Sequence, residues 1–283
     1  MKLVRYGPCG QEKPGMIDQS GRLRDISRIV GDINPEQLND IALSSIRDAD
    51  LESFPIVAES CRFGTPISRI GKFLAIGLNY SDHAIEANMP IPLEPVLFSK
   101  AVSCIVGAND DVMMPLDASK LDWEVELGIV IGTTARHVTK TDALKFVAGY
   151  CVINDVSERG FQFERGPTWD KGKGCDTFGP IGPWLVTKDE IPDPQNLSLW
   201  LEVNGVRMQD GNTKTMIFTV PEIVSYVSQF VTLHPGDIIS TGTPPGVGLG
   251  MKPTPQFLKV GDVMRLGIDG LGIQQQSVIQ FCR

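Results

Sequence analysis

The chain has 283 residues, with 26 Lys+Arg against 34 Asp+Glu and a net charge of −8. That acidity argues against a nucleic-acid partner, whose phosphates need a basic face. No apolar run approaches the ~18–20 residues that span a bilayer, and the opening MKLVRYGPCGQEKPG lacks an apolar h-region, so a cytoplasmic globular protein with no membrane partner is expected.

Residues 1–68 read as a small N-terminal domain of short strand-like pieces with one helix, Pro35 to Ile46, capped by Asn34. Residues 69–283 read as a larger, β-rich domain in which β-branched runs alternate with Gly/Pro turns. Strands are expected at FLAIGL (73–78), along 123–131, at GYCVIND (149–155), LWLEV (199–203) and DIIST (237–241). Asn204-Gly205 has the centre of a type I′ hairpin turn. Thr219, Pro221 and Glu222 open a capped helix that runs to Phe230. There is no regular βαβ alternation, which disfavours a Rossmann or TIM architecture. The six cysteines, Cys9, Cys61, Cys104, Cys151, Cys175 and Cys282, stand singly and are expected to be reduced, core-filling thiols.

Three carboxylates draw attention. In Asp122-Trp123-Glu124-Val125-Glu126, side chains two apart on a strand share a face, so Glu124 and Glu126 stand side by side about 6.5–7 Å apart along it. Either this is a solvent-facing strand edge, or a cation or proton resolves the repulsion. Asp155 closes the apolar run 147–153 and is either a turn or cap residue or a third ligand. Together the three would make an all-oxygen site suited to Mg²⁺, Mn²⁺ or Ca²⁺ and not to zinc.

In Gly77-Leu78-Asn79-Tyr80-Ser81-Asp82-His83-Ala84-Ile85-Glu86 a strand gives way to a short helix with His83 and Glu86 at i and i+3. The histidine is either structural or, oriented by the carboxylate, a base able to deprotonate water. Lys173 lies between Gly172 and Gly174, where backbone can approach a ligand closely, and no Walker A pattern is present. Ser240 to Gly248 is either an anion-binding nest or a plain Gly/Pro hairpin loop.

GLNYxDHAxE, WEVELGIVIG, GYCVINDVSER, GKGCDTFGPIGPWL and STGTPPGVG occur in this order. From about Gly71 to the C-terminus the chain thus closely resembles the fumarylacetoacetate hydrolase superfamily. The opening KLVRYGPxGQEKPG and the late RLGIDGLG are similar, more narrowly, to bacterial 2,4-diketo-3-deoxy-L-rhamnonate hydrolases and relatives labelled ureidoglycolate lyases. The short N-terminal region departs from the larger animal enzyme, so that enzyme's substrate does not transfer.

The resemblance implies an α+β, β-rich fold, a mixed β-roll catalytic domain behind the small N-terminal one, in a homodimer or higher homo-oligomer. It implies Mg²⁺ or Mn²⁺ on Glu124, Glu126 and Asp155, and His83 with Glu86 as a water-activating dyad on a lid segment. Lys173 falls beside the metal. Arg159, Gln162 and Thr243 match substrate contacts, and Lys100, in the FSK stretch, is expected with them. The implied reaction is hydrolysis of the C3–C4 bond of a 2,4-diketo acid to pyruvate and a second acid. The rivals are a decarboxylase, isomerase or ureidoglycolate lyase on the same metal, and a non-catalytic metabolite-binding paralogue.

Overall fold

A computed structural model describes residues 1–58, 60–86 and 90–281, with only the backbone given at 83–85. Strands β1 (Lys2–Tyr6), β2 (Lys13–Ile17) and β3 (Leu23–Asp25) open the chain. The expected helix from Pro35 is divided. A 3₁₀ turn, Pro35–Gln37, is capped by Asn34 and followed by α1 (Asp40–Arg47). Asn39 causes the break, because its Oδ1 accepts from Ala42 N and so restarts the helix as a second N-cap.

The chain continues through β4 (Phe73–Gly77), α2 (Ser81–Glu86), β5 (Val96–Lys100), β6 (Ile105–Gly107), β7 (Val112–Met114), β8 (Leu121–Asp122) and β9 (Val125–Ile131). Next come β10 (Val147–Asn154), β11 (Ser157–Glu158), α3 (Arg159–Phe163), α4 (Asp170–Lys173) and β12 (Gly179–Thr187). The remainder holds β13 (Ser198–Val203), β14 (Val206–Asn212), α5 (Val220–Phe230), β15 (Ile238–Ser240), β16 (Val263–Ile268) and β17 (Gly272–Gln280).

Among the described residues a mixed sheet runs β3-β2-β1-β12-β10-β9-β15-β4-β5, with β6 added parallel to β12. A second sheet, β14-β13-β16-β17-β7, packs its β13, β16 and β17 against β9, β10 and β12. This is the β-rich α+β roll. Residues 1–68 share the main sheet, since β1 pairs antiparallel with β12. Strand β9 is buried at all seven positions because β10 and β15 flank it in the sheet and the second sheet covers it. Its apolar run VELGIVI is therefore that of a strand covered on both faces, with Glu126 enclosed in it.

Local signals account for several elements. Asn204 and Gly205 both have positive φ, 51° and 79°, and close the β13–β14 hairpin as the type I′ turn requires. At α5 both the backbone N and the hydroxyl of Thr219 donate to Glu222 Oε2, each at 2.9 Å. Glu222→Ala removes this cap and should cost about 1 kcal/mol, a drop of a few degrees in Tm, with turnover unchanged. A hydrogen bond from Lys140 and those from Thr219 hold the Glu222 carboxyl below its ordinary 4.5. Its stabilisation is thus present above that value and lost as pH falls through the native pKa. Denaturation curves of wild type and variant should converge in acid.

Of the cysteines, Cys104 and Cys151 are buried and Cys61 and Cys175 half-buried. Cys9 is exposed, contrary to the core-filling expectation, because it lies in the loop between β1 and β2. Cys282 lies outside the described residues. No helix among the described residues is long and apolar enough to cross a membrane.

Candidate active site

Glu124 is not in a regular strand. It falls in the break between β8 and β9, where its N–H is diverted to Asn154 Oδ1 (3.2 Å) and that of Val125 to Gln209 Oε1 (3.0 Å). Its carbonyl accepts from Asp155 N at 2.9 Å, which ties Asp155, just past the end of β10, to the same point. The result is stronger than simple strand alternation. Glu124, Glu126 and Asp155 each place a carboxylate oxygen within 4.8 Å of the others, and all three residues are buried. The solvent-edge reading of Glu124 and Glu126 is thereby excluded.

Such a cluster needs opposite charge. Lys173, on α4, donates from Nζ to Glu124 Oε2 at 2.6 Å and to Asp155 Oδ2 at 2.7 Å. Lys100 donates to Asp155 Oδ1 and to the Val156 carbonyl. Arg159 donates to Glu124 Oε1 (2.6 Å), Asp122 Oδ2 (2.8 Å) and Gln162 Oε1 (3.0 Å). Among the described residues Glu126 receives neutral donors alone, Ser240 Oγ (2.6 Å) and Gly242 N (2.8 Å), both on Oε2.

Among the described residues, four buried carboxylates (Asp122, Glu124, Glu126, Asp155) therefore face three buried cations (Lys100, Arg159, Lys173), and Glu126 is the one with no ion pair to them. Burial works to raise the Glu124 carboxyl, but Lys173 and Arg159 overcome it and hold it at about 2. Burial, then the charges of Asp155 and Glu124, push the Glu126 carboxyl well above the usual range. A divalent cation among the three carboxylates would supply the missing positive charge, and hard oxygen donors suit Mg²⁺ or Mn²⁺.

Strand β4 delivers the next part of the site. Leu78 turns the chain with φ 53°, and the buried Asn79 pins it by donating to Phe218 O and Thr241 O and accepting from Phe218 N. Helix α2 follows, with the backbone of His83 one turn before Glu86. The His83 side chain lies outside the described residues. Both oxygens of Glu86 accept from Gly246 N, at 3.1 and 3.2 Å.

The loop after β15 uses its N–H groups on the chain's own carboxylates. Gly242 N serves Glu126, Gly246 N serves Glu86, and Gly248 N and Leu249 N serve Asp122. The loop therefore binds anions, but they are the chain's own carboxylates. Gly246 has φ 102°, and a Cβ there would lie 1.9 Å from Met208 O, so glycine alone fits this contact.

A cavity of about 260 Å³ opens onto these groups. Glu86, Glu124, Glu126, Asp155 and Lys173 line it, as do the expected contacts Arg159, Gln162 and Thr243. Thr243 Oγ1 donates to Val125 O (2.9 Å) and accepts from Gln209 Nε2 (2.8 Å), so its hydroxyl is held by the scaffold. Lys100 is not among the lining residues. It sits behind Asp155, fully buried, and backs that carboxylate from the side away from the cavity.

Sequence reasoning gave no role to Asp122, although the residue stands inside the singled-out motif. It is a fully buried carboxylate that takes bonds from Trp123 N, Gly248 N, Leu249 N and Arg159. Nor did it find Phe98, on β5, or Phe163 and Trp169, in the stretch from α3 to α4, whose rings line the cavity together.

A family model described as fumarylacetoacetate (FAA) hydrolase C-terminal matches residues 72–279. A protein of Burkholderia ambifaria named "Putative hydrolase" is 60% identical over 277 residues, 98% of each chain. The structure of a fumarylacetoacetate hydrolase from psychrophilic Exiguobacterium antarcticum superposes with a TM-score of 0.88 at 37% identity, covering 99% of this chain and 100% of that one. That of a maleylpyruvate hydrolase from Sphingobium sp. SYK-6, in complex with manganese(II) and pyruvate, gives 0.83 at 28% identity, covering 100% of both chains.

Proposed function

The chain belongs to the fumarylacetoacetate hydrolase family, and from that premise we propose that it is a metal-dependent hydrolase cleaving the C3–C4 bond of a 2,4-diketo acid. The observation that carries the reading is the buried cluster of Glu124, Glu126 and Asp155, in which Glu126 has no ion pair among the described residues, beside Lys173 in a cavity that Glu86 also lines. When bound by these carboxylates, Mg²⁺ or Mn²⁺ would supply Lewis acidity and a template for the C1 carboxylate and C2 oxygen of the substrate. The manganese and pyruvate in the Sphingobium enzyme support this choice of ion and product.

In the proposed reaction Glu86, fixed by Gly246 N–H, orients His83, which takes a proton from water. The hydroxide adds to the C4 carbonyl and the C3–C4 bond breaks. The electron pair leaves as the enolate of pyruvate, whose charge develops beside Lys173 Nζ. The proton taken by His83 returns to C3, giving pyruvate, and the other fragment leaves as a carboxylic acid. With 2,4-diketo-3-deoxy-L-rhamnonate, the substrate to which the opening and late motifs point, that acid is L-lactate. An isomerase, decarboxylase or ureidoglycolate lyase on the same carboxylates needs no activated water, so Glu86 in the cavity wall favours hydrolysis. The reading includes a cytoplasmic homodimer with residues 1–68 as a small domain, and light scattering tests the dimer.

The deciding assay is pyruvate release from acylpyruvates, fumarylpyruvate, 2,4-diketo-3-deoxy-L-rhamnonate and oxaloacetate, and glyoxylate release from ureidoglycolate, with Mg²⁺, with Mn²⁺ and with chelator. Metal-dependent release from 2,4-diketo acids is expected. Turnover of only oxaloacetate or ureidoglycolate would overturn the water-activating role of His83 and Glu86.

A further inference from the structure

Three aromatic rings lead from the charged floor of the cavity to solvent. Lys173 Nζ lies 5.4 Å from the centroid of Phe98. Phe98 meets Trp169 edge-on at 5.2 Å, and Trp169 meets Phe163 edge-on at 6.0 Å. All three rings line the cavity, and the last, Phe163, is 52% exposed. The ladder is close-fitted at its middle, because a Cβ on Gly77 would lie 2.5 Å from Trp169 Cζ3, so the indole rests on bare backbone at the end of β4. Large apolar rings left partly in water at the mouth of a site gain free energy when a ligand covers them. The buried cations of the floor, Arg159 and Lys173, are already bound to carboxylates of the chain.

We propose that the substrate carries an uncharged apolar group on its C4 carbonyl, an alkyl chain or a ring, laid along Phe98, Trp169 and Phe163, with Trp169 as the residue that sets specificity. The proposal rests on the 2,4-diketo acid reading for the head group at the floor. The C4 substituent of 2,4-diketo-3-deoxy-L-rhamnonate, a methyl on a hydroxyl-bearing carbon, covers little of this ladder, so the proposal ranks that compound below alkyl- and arylpyruvates. Lys252 also lines the cavity and is exposed, so a terminal carboxylate on the substrate is the competing answer.

The test measures kcat and KM, and binding by calorimetry with Mn²⁺, for acetopyruvate, 2,4-dioxooctanoate, benzoylpyruvate and succinylpyruvate. Wild type should favour the butyl and phenyl compounds over the methyl one by at least about 10-fold in kcat/KM. Trp169→Ala should lose about 10-fold or more on those two, chiefly in KM, and less than about 3-fold on acetopyruvate. Phe163→Ala, on an exposed side chain, should show the same pattern more weakly and guards against a folding defect in the first variant. Equal losses on every compound overturn the proposal, as does a preference for succinylpyruvate that Lys252→Met abolishes. If no compound releases pyruvate, the hydrolase reading fails while the wall is still read by binding. Tighter binding of benzoylpyruvate than acetopyruvate in wild type but not in Trp169→Ala upholds it, and equal or absent binding overturns it.

Discussion

Glu126→Ala should abolish Mn²⁺ binding and lower turnover on the order of 10³-fold, the several kcal/mol that a catalytic cation contributes to a developing oxyanion. The reason is the charge balance of the cluster. Glu124 and Asp155 are each held by cations of the chain, whereas Glu126, among the described residues, is held by Ser240 and Gly242, and burial with its acidic neighbours opposes its ionisation. It is therefore the ligand with most to gain from an added cation and the one whose loss removes most of the site's attraction for it. Glu126→Gln keeps the shape and removes the charge. Its metal-free form should be at least as stable as metal-free wild type, because a neutral amide replaces a carboxyl whose ionisation burial and its acidic neighbours oppose. Manganese titration followed by calorimetry, with Tm measured in chelator, separates the two effects. Full activity in either variant, or in metal-depleted wild type, would sink the scheme.

Lys173→Met is expected to do the converse. Its ammonium bridges Glu124 and Asp155 at 2.6 and 2.7 Å inside the protein, so its removal leaves two buried carboxylates facing each other. Breaking a buried pair in this way costs roughly 3–5 kcal/mol, and the metal-free variant should melt roughly 10 °C lower. With the ammonium gone, the carboxylates attract a divalent ion at least as strongly as before, so Mn²⁺ should still bind and restore much of the lost stability. Turnover should remain lower by on the order of 10³-fold, because the charge developing on the enolate has lost its neighbouring donor. A variant that binds manganese but does not turn over separates holding the ion from performing the reaction. Wild-type turnover in Lys173→Met would remove the lysine from the mechanism.

Much of the fold and the site follows from local rules in the sequence. Asn204-Gly205 demands a hairpin because both residues accept positive φ, and Thr219 with Glu222 starts α5 because a glutamate at that spacing reaches back to the cap. The apolar run ending at Asp155 places a carboxylate at a strand mouth, and i, i+3 spacing puts Glu86 one turn from His83. The set Glu124, Glu126, Asp155, Glu86 and Lys173 could thus be named from residue types and spacing, aided by the ordered motifs.

Tertiary structure decided everything that depends on what a group meets across the fold. Glutamates two apart are equally at home on a wet strand edge. Only the placement of β9 between β10 and β15, under a second sheet, makes Glu126 a buried carboxyl. By motif Lys100 reads as a substrate contact, yet its ammonium bonds Asp155 outside the cavity lining, because β4–β5 pairing sets where that side chain enters the core. The glycine loop reads as a nest for a foreign anion, but its N–H groups are spent on Glu126, Glu86 and Asp122, residues between 116 and 160 positions away. The aromatic ladder joins β5 to the stretch from α3 to α4, which no period or motif connects. Backbone conformation is set by neighbours in sequence and is written locally, whereas charge compensation and cavity shape are set by neighbours in space.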